Sequence, residues 1–157
     1  MQVLHSHNYI SFQLEKMGRV LTEKFKKEEE ITFVCDLHSV NFATDLIKQY
    51  KGLCKFEILI PDYKISQITN LTQSKVVLLE TMVNTGKSLK LLKSQFETVG
   101  IDDLTVVSLI VRGEDNLQLV NHTCLKILGS EFLVGYGLSK NGYFGNLPDL
   151  CIYNANR

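Results

Sequence analysis

Hydrophobic and polar positions follow two different periods along the chain. From Tyr9 to Lys26, apolar residues recur every three or four positions with charged residues opposite them, which predicts an amphipathic helix. Later apolar runs of about four to eight residues do not alternate with polar ones, which is typical of strands buried on both faces of a sheet. These runs predict strands at Ile31 to Cys35, Phe56 to Ile60, Lys75 to Leu79 and Leu104 to Val111. Helical patterns lie between them at Asn41 to Tyr50 and Lys87 to Phe96, and shorter strand candidates follow at Cys124 to Leu128, Phe132 to Tyr136 and Leu150 to Tyr153.

The order of these elements predicts the fold class. Buried strands that alternate with amphipathic helices favour a parallel sheet covered on both faces, so the prediction is an α/β protein with a doubly wound parallel sheet. A chain of 157 residues with no internal repeat or linker-like segment fits a single domain spanning residues 1–157. Ligands of such sheets bind outside the carboxyl ends of the strands, where functional residues are therefore expected.

The stretch from Val76 to Leu89, VVLLETMVNTGKSL, places polar residues at such a strand end. Four apolar residues end in Glu80, and an acid at the end of a buried strand needs a partner or solvent. The segment from Thr85 to Ser88 then opens a helix, where backbone N–H groups and the helix dipole favour a phosphate. The structural alternative is an ordinary turn with a capping hydroxyl. A P-loop is disfavoured because its first glycine would fall at Thr81.

Three segments carry a resemblance to a known family. Val76 to Ser88 resembles the ribose-phosphate signature of the type I phosphoribosyltransferases: a hydrophobic run, two acids, two apolar residues, Asp or Ala, then Thr-Gly-x-Thr/Ser. Phe132 to Ile152, FLVGYGLSKNGYFGNLPDLCI, is similar to the C-terminal block of hypoxanthine-guanine phosphoribosyltransferases. Leu109 to Arg112 resembles the family's apolar strand that ends in a lysine. The resemblance covers most of the chain and implies the family's fold, with a small C-terminal hood.

The family transfers ribosyl phosphate from phosphoribosyl pyrophosphate to a purine, and the resemblance implies the nucleotide side of such a site. The implied residues are Thr85, Gly86, Lys87 and Ser88 for the 5′-phosphate, Glu80 and Thr81 for the ribose, and Arg112, Phe132 and Leu133 for the purine. Phe132 would stack on the base, the backbone of Leu133 would contact its edge, and Arg112 replaces a lysine with another cationic donor. Taken alone, Phe132 could equally be a core aromatic and Arg112 an exposed strand-end cation.

The side that would hold pyrophosphate departs from the family pattern. Asn84 stands in place of the aspartate that handles the base proton, and an amide does not accept a proton at physiological pH. The other degenerate positions are His38 and Ser39 in a loop without its glycine, Ser139 in place of an aspartate and Gly145 in place of an arginine. The connection from Asp62 to Ser74 is also too short for the family's mobile lid.

These matches and departures lead to one hypothesis and two alternatives. The hypothesis is a relative that binds a purine nucleotide, GMP or IMP, with impaired catalysis and no certain cofactor. The first alternative is an active purine salvage transferase that makes IMP or GMP and needs Mg²⁺. The second is a structural protein that kept only the fold. Association as a homodimer, or with an active homologue, is compatible with any of them.

Composition and charge change this picture little. The chain has 17 basic and 17 acidic residues, so no net charge attracts it to nucleic acid or an anionic membrane. Its 4 cysteines and 4 histidines show no metal-ligand spacing, and we expect buried, reduced thiols and no metal site. No apolar run approaches the about 20 residues of a membrane span, and the N-terminal residues lack a signal-peptide pattern, so a cytoplasmic location is expected.

Overall fold

The computed structural model is an α/β structure described for residues 1–26, 30–60, 65 and 75–154. Its strands are β1 (Gln2–His5), β2 (Ile31–Asp36), β3 (Cys54–Leu59), β4 (Lys75–Val83), β5 (Leu104–Arg112), β6 (His122–Ile127), β7 (Leu133–Val134) and β8 (Leu150–Ile152). Its α-helices are α1 (His7–Phe25), α2 (Val40–Ile47) and α3 (Lys87–Thr98). Short 3₁₀ helices follow β2 at Leu37–Ser39 and β5 at Glu114–Leu119.

The central sheet contains five parallel strands in the order β3-β2-β4-β5-β6. The chain moves outward from β2 to β3 on one side and from β4 through β5 to β6 on the other, so the winding reverses between β2 and β4. The register places Cys35 beside Leu79 and Glu80 beside Ser108. Sheets of this kind bind ligands in the crevice at the reversal. The residues at the carboxyl ends of β2 and β4 therefore border the candidate site.

Helices cover both faces of this sheet. On one face, Phe33 of β2 belongs to the same apolar cluster as Phe42 of α2, and both are fully buried. On the other face, the next residue, Val34, belongs to the same cluster as Phe96 of α3. The three central strands β2, β4 and β5 are largely apolar without alternation because they are buried on both faces. The predicted doubly wound α/β fold is confirmed.

A three-stranded antiparallel sheet in the order β1-β8-β7 forms the hood, which consists of residues 1–5 and 132–153. The Tyr136 hydroxyl donates a hydrogen bond of 2.7 Å to the Asp45 carboxylate of α2, and burial together with this carboxylate raises the pKa of Tyr136. Gly135 has a φ of +92°, and a Cβ at this position would collide with the Asp149 carbonyl oxygen. Glycine is therefore required there for the hood to close on itself.

Two differences from the predicted elements arise from strand pairing. Strand β4 continues to Val83, beyond the predicted end at Leu79, because Met82 and Val83 pair with β5. Glu80 and Thr81 consequently lie inside a strand, with fixed side-chain directions. No prediction covered β1, since this four-residue segment becomes a strand by pairing with β8.

The other predicted elements agree with the structure to within a few residues, although the helix predicted to reach Tyr50 ends at Ile47. The connection from Asp62 to Ser74, where the lid was predicted to be missing, lies outside the described residues except for the buried Ile65. None of the helices in the described ranges is long and apolar enough to span a membrane.

Candidate functional site

The predicted phosphate-binding residues form the turn between β4 and α3. Thr85, Lys87 and Ser88 are exposed, and Gly86 is the N-terminal cap of α3 with a φ of +74°. No side chain caps this helix end, and the Lys87 N–H makes only a long contact of 3.4 Å with the Thr85 hydroxyl. The first-turn amides of an α-helix have no acceptor within the helix, and they attract an anion. This turn is therefore suited to hold a phosphate, and the alternative of a well-capped ordinary turn is disfavoured.

Two carboxylates meet at the reversal of the sheet, at the ends of neighbouring strands. Because Cys35 lies beside Leu79, the next residues, Asp36 and Glu80, are also neighbours on one face of the sheet. Burial, reinforced by the negative charge of Asp36, raises the pKa of Glu80 to about 7. No hydrogen bond from a described residue opposes this shift. Glu80 is thus a half-titrated acid near neutral pH, in the position implied for contact with the ribose.

The loop after β2 is held to β4 by hydrogen bonds between Ser39 or His38 and Thr81. Ser39 is 2% exposed; its hydroxyl accepts a 3.0 Å hydrogen bond from the Thr81 N–H, and its own N–H donates to the Asp36 carboxylate at 2.9 Å. Thr81 is 3% exposed, and its hydroxyl donates a long hydrogen bond of 3.4 Å to the His38 carbonyl oxygen. The N–H and the hydroxyl oxygen of Ser39 are therefore engaged within the protein, on the side implied for pyrophosphate.

The residues implied for the base lie where β5 and the hood meet. Phe132 is 50% exposed, so it is not a core aromatic. The Arg112 guanidinium donates through Nη2 to the Glu131 carbonyl oxygen at 2.8 Å, which holds it next to Phe132. Leu133 is buried in β7, where its backbone pairs with Ile152 of β8. The exposed ring of Phe132, the hydrogen-bonded guanidinium of Arg112 and strand β7 thus lie at the same end of the candidate site.

Ser139 and Gly145 lie together in the hood. A Cβ at Gly145 would lie 3.5 Å from the Ser139 Cβ, and the Gly145 carbonyl oxygen accepts a 2.9 Å hydrogen bond from the Gly137 N–H. Neither side chain carries charge. In the described part of the chain, no group of three or more His, Cys, Asp or Glu side chains is placed to hold a metal ion.

The four cysteines are free. Cys35 and Cys151 are buried, while Cys54 and Cys124 are half-buried, so the expectation of buried thiols holds fully for the first two. Burial raises the pKa of Cys35 and Cys124 to about 12, which keeps both as neutral thiols at physiological pH.

Several residues at the site were not singled out from the sequence. Asp36 carries a detectable signal, since an acid follows the apolar run of β2 just as Glu80 follows VVLL. Lys140 has no such signal: its ammonium lies 5.3 Å from the Phe132 ring centroid and 4.2 Å from that of Tyr153. Asn116, in the 3₁₀ helix after β5, hydrogen bonds to the Asn84 carbonyl oxygen next to the phosphate turn. No local sequence pattern predicts this contact either.

Comparison with known proteins identifies relatives along nearly the whole chain. No family model matches it. The hypoxanthine-guanine phosphoribosyltransferase of Streptococcus pyogenes is 23% identical over 162 residues, which cover 94% of this chain and 89% of that protein. The phosphoribosyltransferase domain-containing protein 1 of Xenopus laevis is 27% identical over 152 residues, which cover 81% of this chain and 67% of that protein.

Solved structures of the same kind superpose closely on this one. A hypoxanthine-guanine-xanthine phosphoribosyltransferase matches with a TM-score of 0.87 and 21% identity, covering 99% of this chain and 95% of the other. The hypoxanthine phosphoribosyltransferase of Trypanosoma cruzi in complex with the product IMP matches with a TM-score of 0.81 and 17% identity, covering 99% and 91%. The chain therefore has the type I phosphoribosyltransferase fold, and its homologues and structural neighbours are phosphoribosyltransferases of the hypoxanthine-guanine kind.

Proposed function

We propose that this protein binds a purine nucleoside monophosphate, GMP or IMP, across the carboxyl ends of β4 and β5. The observation that carries the proposal is the turn at Gly86, where a helix N-terminus without a side-chain cap leaves the first-turn amides with no acceptor in the helix. Thr85, Lys87 and Ser88 add two hydroxyls and an ammonium around the same point. The IMP complex of the structurally similar Trypanosoma cruzi enzyme supports this class of ligand.

The rest of the nucleotide would extend from this turn toward the hood. Glu80 would accept hydrogen bonds from the ribose hydroxyls. The exposed ring of Phe132 would stack on the base, and Arg112 has five N–H donors, of which the bond to Glu131 uses one. A free Arg112 donor is thus available for a base carbonyl, while the backbone of Leu133 would contact the base edge.

We further propose that catalysis is impaired. Departure of pyrophosphate requires fixed positive charge or a metal at the leaving group, and loss of a single electrostatic contact of this type costs about 3 kcal/mol of transition-state stabilisation. Here Ser39 is engaged internally, and Ser139 and Gly145 supply no charge. Asn84 also supplies no proton acceptor. Together these features favour nucleotide binding over turnover.

Mg²⁺ enters the proposal only with the active alternative. The pair Asp36 and Glu80 offers carboxylate oxygens, although one oxygen of Asp36 already accepts the Ser39 N–H. Ser139 adds no carboxylate. Among the described residues, the site therefore offers at most this one carboxylate pair, and a magnesium ion held in this way would depend on substrate phosphates and water for its other ligands.

An active purine salvage transferase, making IMP or GMP from phosphoribosyl pyrophosphate and hypoxanthine or guanine, is the second candidate. The names of the curated relatives favour it, since the Streptococcus pyogenes protein is called a hypoxanthine-guanine phosphoribosyltransferase and matches 94% of this chain. Self-association or association with an active homologue is compatible with both candidates.

The first expected result concerns binding. GMP or IMP at 100 times its dissociation constant should raise the free energy of unfolding by about 2.7 kcal/mol, because the ligand binds only the folded protein. Isothermal calorimetry and thermal unfolding with GMP, IMP and AMP measure this effect, with guanosine as the control that lacks the phosphate. If no purine monophosphate shifts unfolding at millimolar concentration, the chain retains the fold without this function.

The second expected result separates binding from catalysis. Phosphoribosyl pyrophosphate with Mg²⁺ should bind no more tightly than GMP, because the pyrophosphate side supplies no charged side chain from positions 39, 139 or 145. Calorimetry with and without Mg²⁺ measures the affinity, and a spectrophotometric assay with hypoxanthine and guanine measures turnover. A clear gain in affinity with Mg²⁺, or ready turnover, would establish the active transferase instead.

A further inference from the structure

The side chain of Asn116 bridges two parts of the candidate site that are distant in sequence. Its Nδ2 donates one hydrogen bond of 2.5 Å to the Asn84 carbonyl oxygen and another of 2.8 Å to the Arg112 carbonyl oxygen. Asn84 begins the phosphate turn, while Arg112 ends β5 at the proposed base side. One amide group thus uses both of its N–H donors to hold the two sides at a fixed separation.

The segment that carries Asn116 also packs on the phosphate turn. A Cβ at Gly86 would lie 2.9 Å from Asn116 Oδ1 and would collide with the Leu119 side chain. The far end of this segment is held separately, because Asn121 Oδ1 accepts a 2.7 Å hydrogen bond from the Val106 N–H of β5. The 3₁₀ helix Glu114–Leu119 therefore lies against the phosphate turn between two anchored points.

We propose that Asn116 is a positioning residue that couples the phosphate turn to the base side of the site. The identity of the ligand rests on the proposed function, whereas the hydrogen bonds of Asn116 do not depend on it. Asn84 and Arg112 expose carbonyl oxygens, so a side chain between them must donate twice and carry no negative charge. Asparagine meets both requirements, whereas the isosteric aspartate would place a carboxylate against two carbonyl oxygens. The turn would then lose the fixed position from which its amides reach the phosphate.

The affinity test compares GMP with guanosine, because their ratio reports the contribution of the phosphate. Asn116→Ala should lower this ratio by about tenfold, the equivalent of one to two net hydrogen bonds. Asn116→Asp should lower it further. The matched controls are Asn121→Ala and Asn121→Asp, at the other asparagine of the same segment; Asn121 acts as an acceptor, so its Asp variant keeps the bond to Val106. Both controls should leave the ratio unchanged.

Amide hydrogen exchange of the ligand-free protein supplies a readout that does not depend on nucleotide binding. Asn116→Ala should accelerate exchange in residues 84–89 by about tenfold, while Asn121→Ala should leave it at the parent rate. If the parent protein binds no nucleotide, the proposed function fails and the exchange rates alone decide the positioning role. Unchanged exchange in Asn116→Ala, or an equal loss of the affinity ratio in both alanine variants, would overturn the proposal.

Discussion

Replacing Glu80 by glutamine is expected to raise the free energy of unfolding at pH 8 by about 3 kcal/mol, because the pKa of Glu80 is raised from 4.5 to about 7 in the folded protein. The folded state binds the proton more tightly than the unfolded state between these two values. The stability that this group contributes is therefore complete below pH 4.5 and is lost as the pH rises through about 7. Glutamine does not titrate, so the variant lacks this loss.

Urea denaturation of the parent and Glu80→Gln from pH 5 to pH 8.5 measures the effect. The difference between the two proteins should be small at pH 5, grow up to about pH 7 and then level off, because above that pH Glu80 is ionised in both the folded and the unfolded parent. Glu97→Gln, at an exposed position of α3, controls for the removal of a surface carboxylate and should follow the parent. Parallel profiles for the parent and Glu80→Gln would show that the pKa of Glu80 is not raised in the folded protein.

Gly86→Ala is expected to lower the free energy of unfolding by about 3 kcal/mol and to abolish detectable GMP binding. Two costs add at this position. The φ of +74° is unfavourable for a residue with a Cβ, and the new Cβ would displace Leu119 and Asn116. Displacement of Asn116 would break its bonds to Asn84 and Arg112, so the phosphate turn and the base side would lose their fixed separation.

Gly100→Ala is the matched control for backbone strain. Gly100 follows α3 with a φ of +86°, and an added Cβ would meet no atom within 4 Å in the described part of the chain. Only the left-handed conformation is then penalised, at about 1 kcal/mol, and GMP affinity should match that of the parent. Chemical denaturation and calorimetry on both variants distinguish the two costs. Equal losses of stability, with GMP binding intact in both, would show that Gly86 is not needed for contact with a ligand.

The elements of the central sheet and the phosphate turn were predictable because their signals are local. Largely apolar, non-alternating runs at β2, β4 and β5 reflect burial on both faces, and the helices between them follow from the period of their apolar positions. The turn from Thr85 to Ser88 was found from contiguous residues, since a helix N-terminus needs nothing distant to create its free amides.

The electrostatics of the site depended on strand order and register, which no local pattern contains. Asp36 raises the pKa of Glu80 only because β2 and β4 are adjacent in the sheet and in register. Ser39 is engaged by Thr81 for the same reason. In the sequence, Ser39 and Thr81 are only departures from a family pattern. In the structure, they are hydrogen bonded to each other.

By itself the sequence determined the strands of the central sheet and the helices that cover it to within a few residues, where a phosphate could bind, and which family the chain resembles. Only the tertiary structure decided that Asn116 bridges Asn84 and Arg112, that Lys140 lies over Phe132, and that Phe132 is exposed. The physical reason is the distance along the chain between the residues that interact. Periodicity and helix termini follow from neighbouring residues in the chain, whereas hydrogen bonds, exposed fractions and pKa shifts arise between residues that only the packing of the whole sheet brings together.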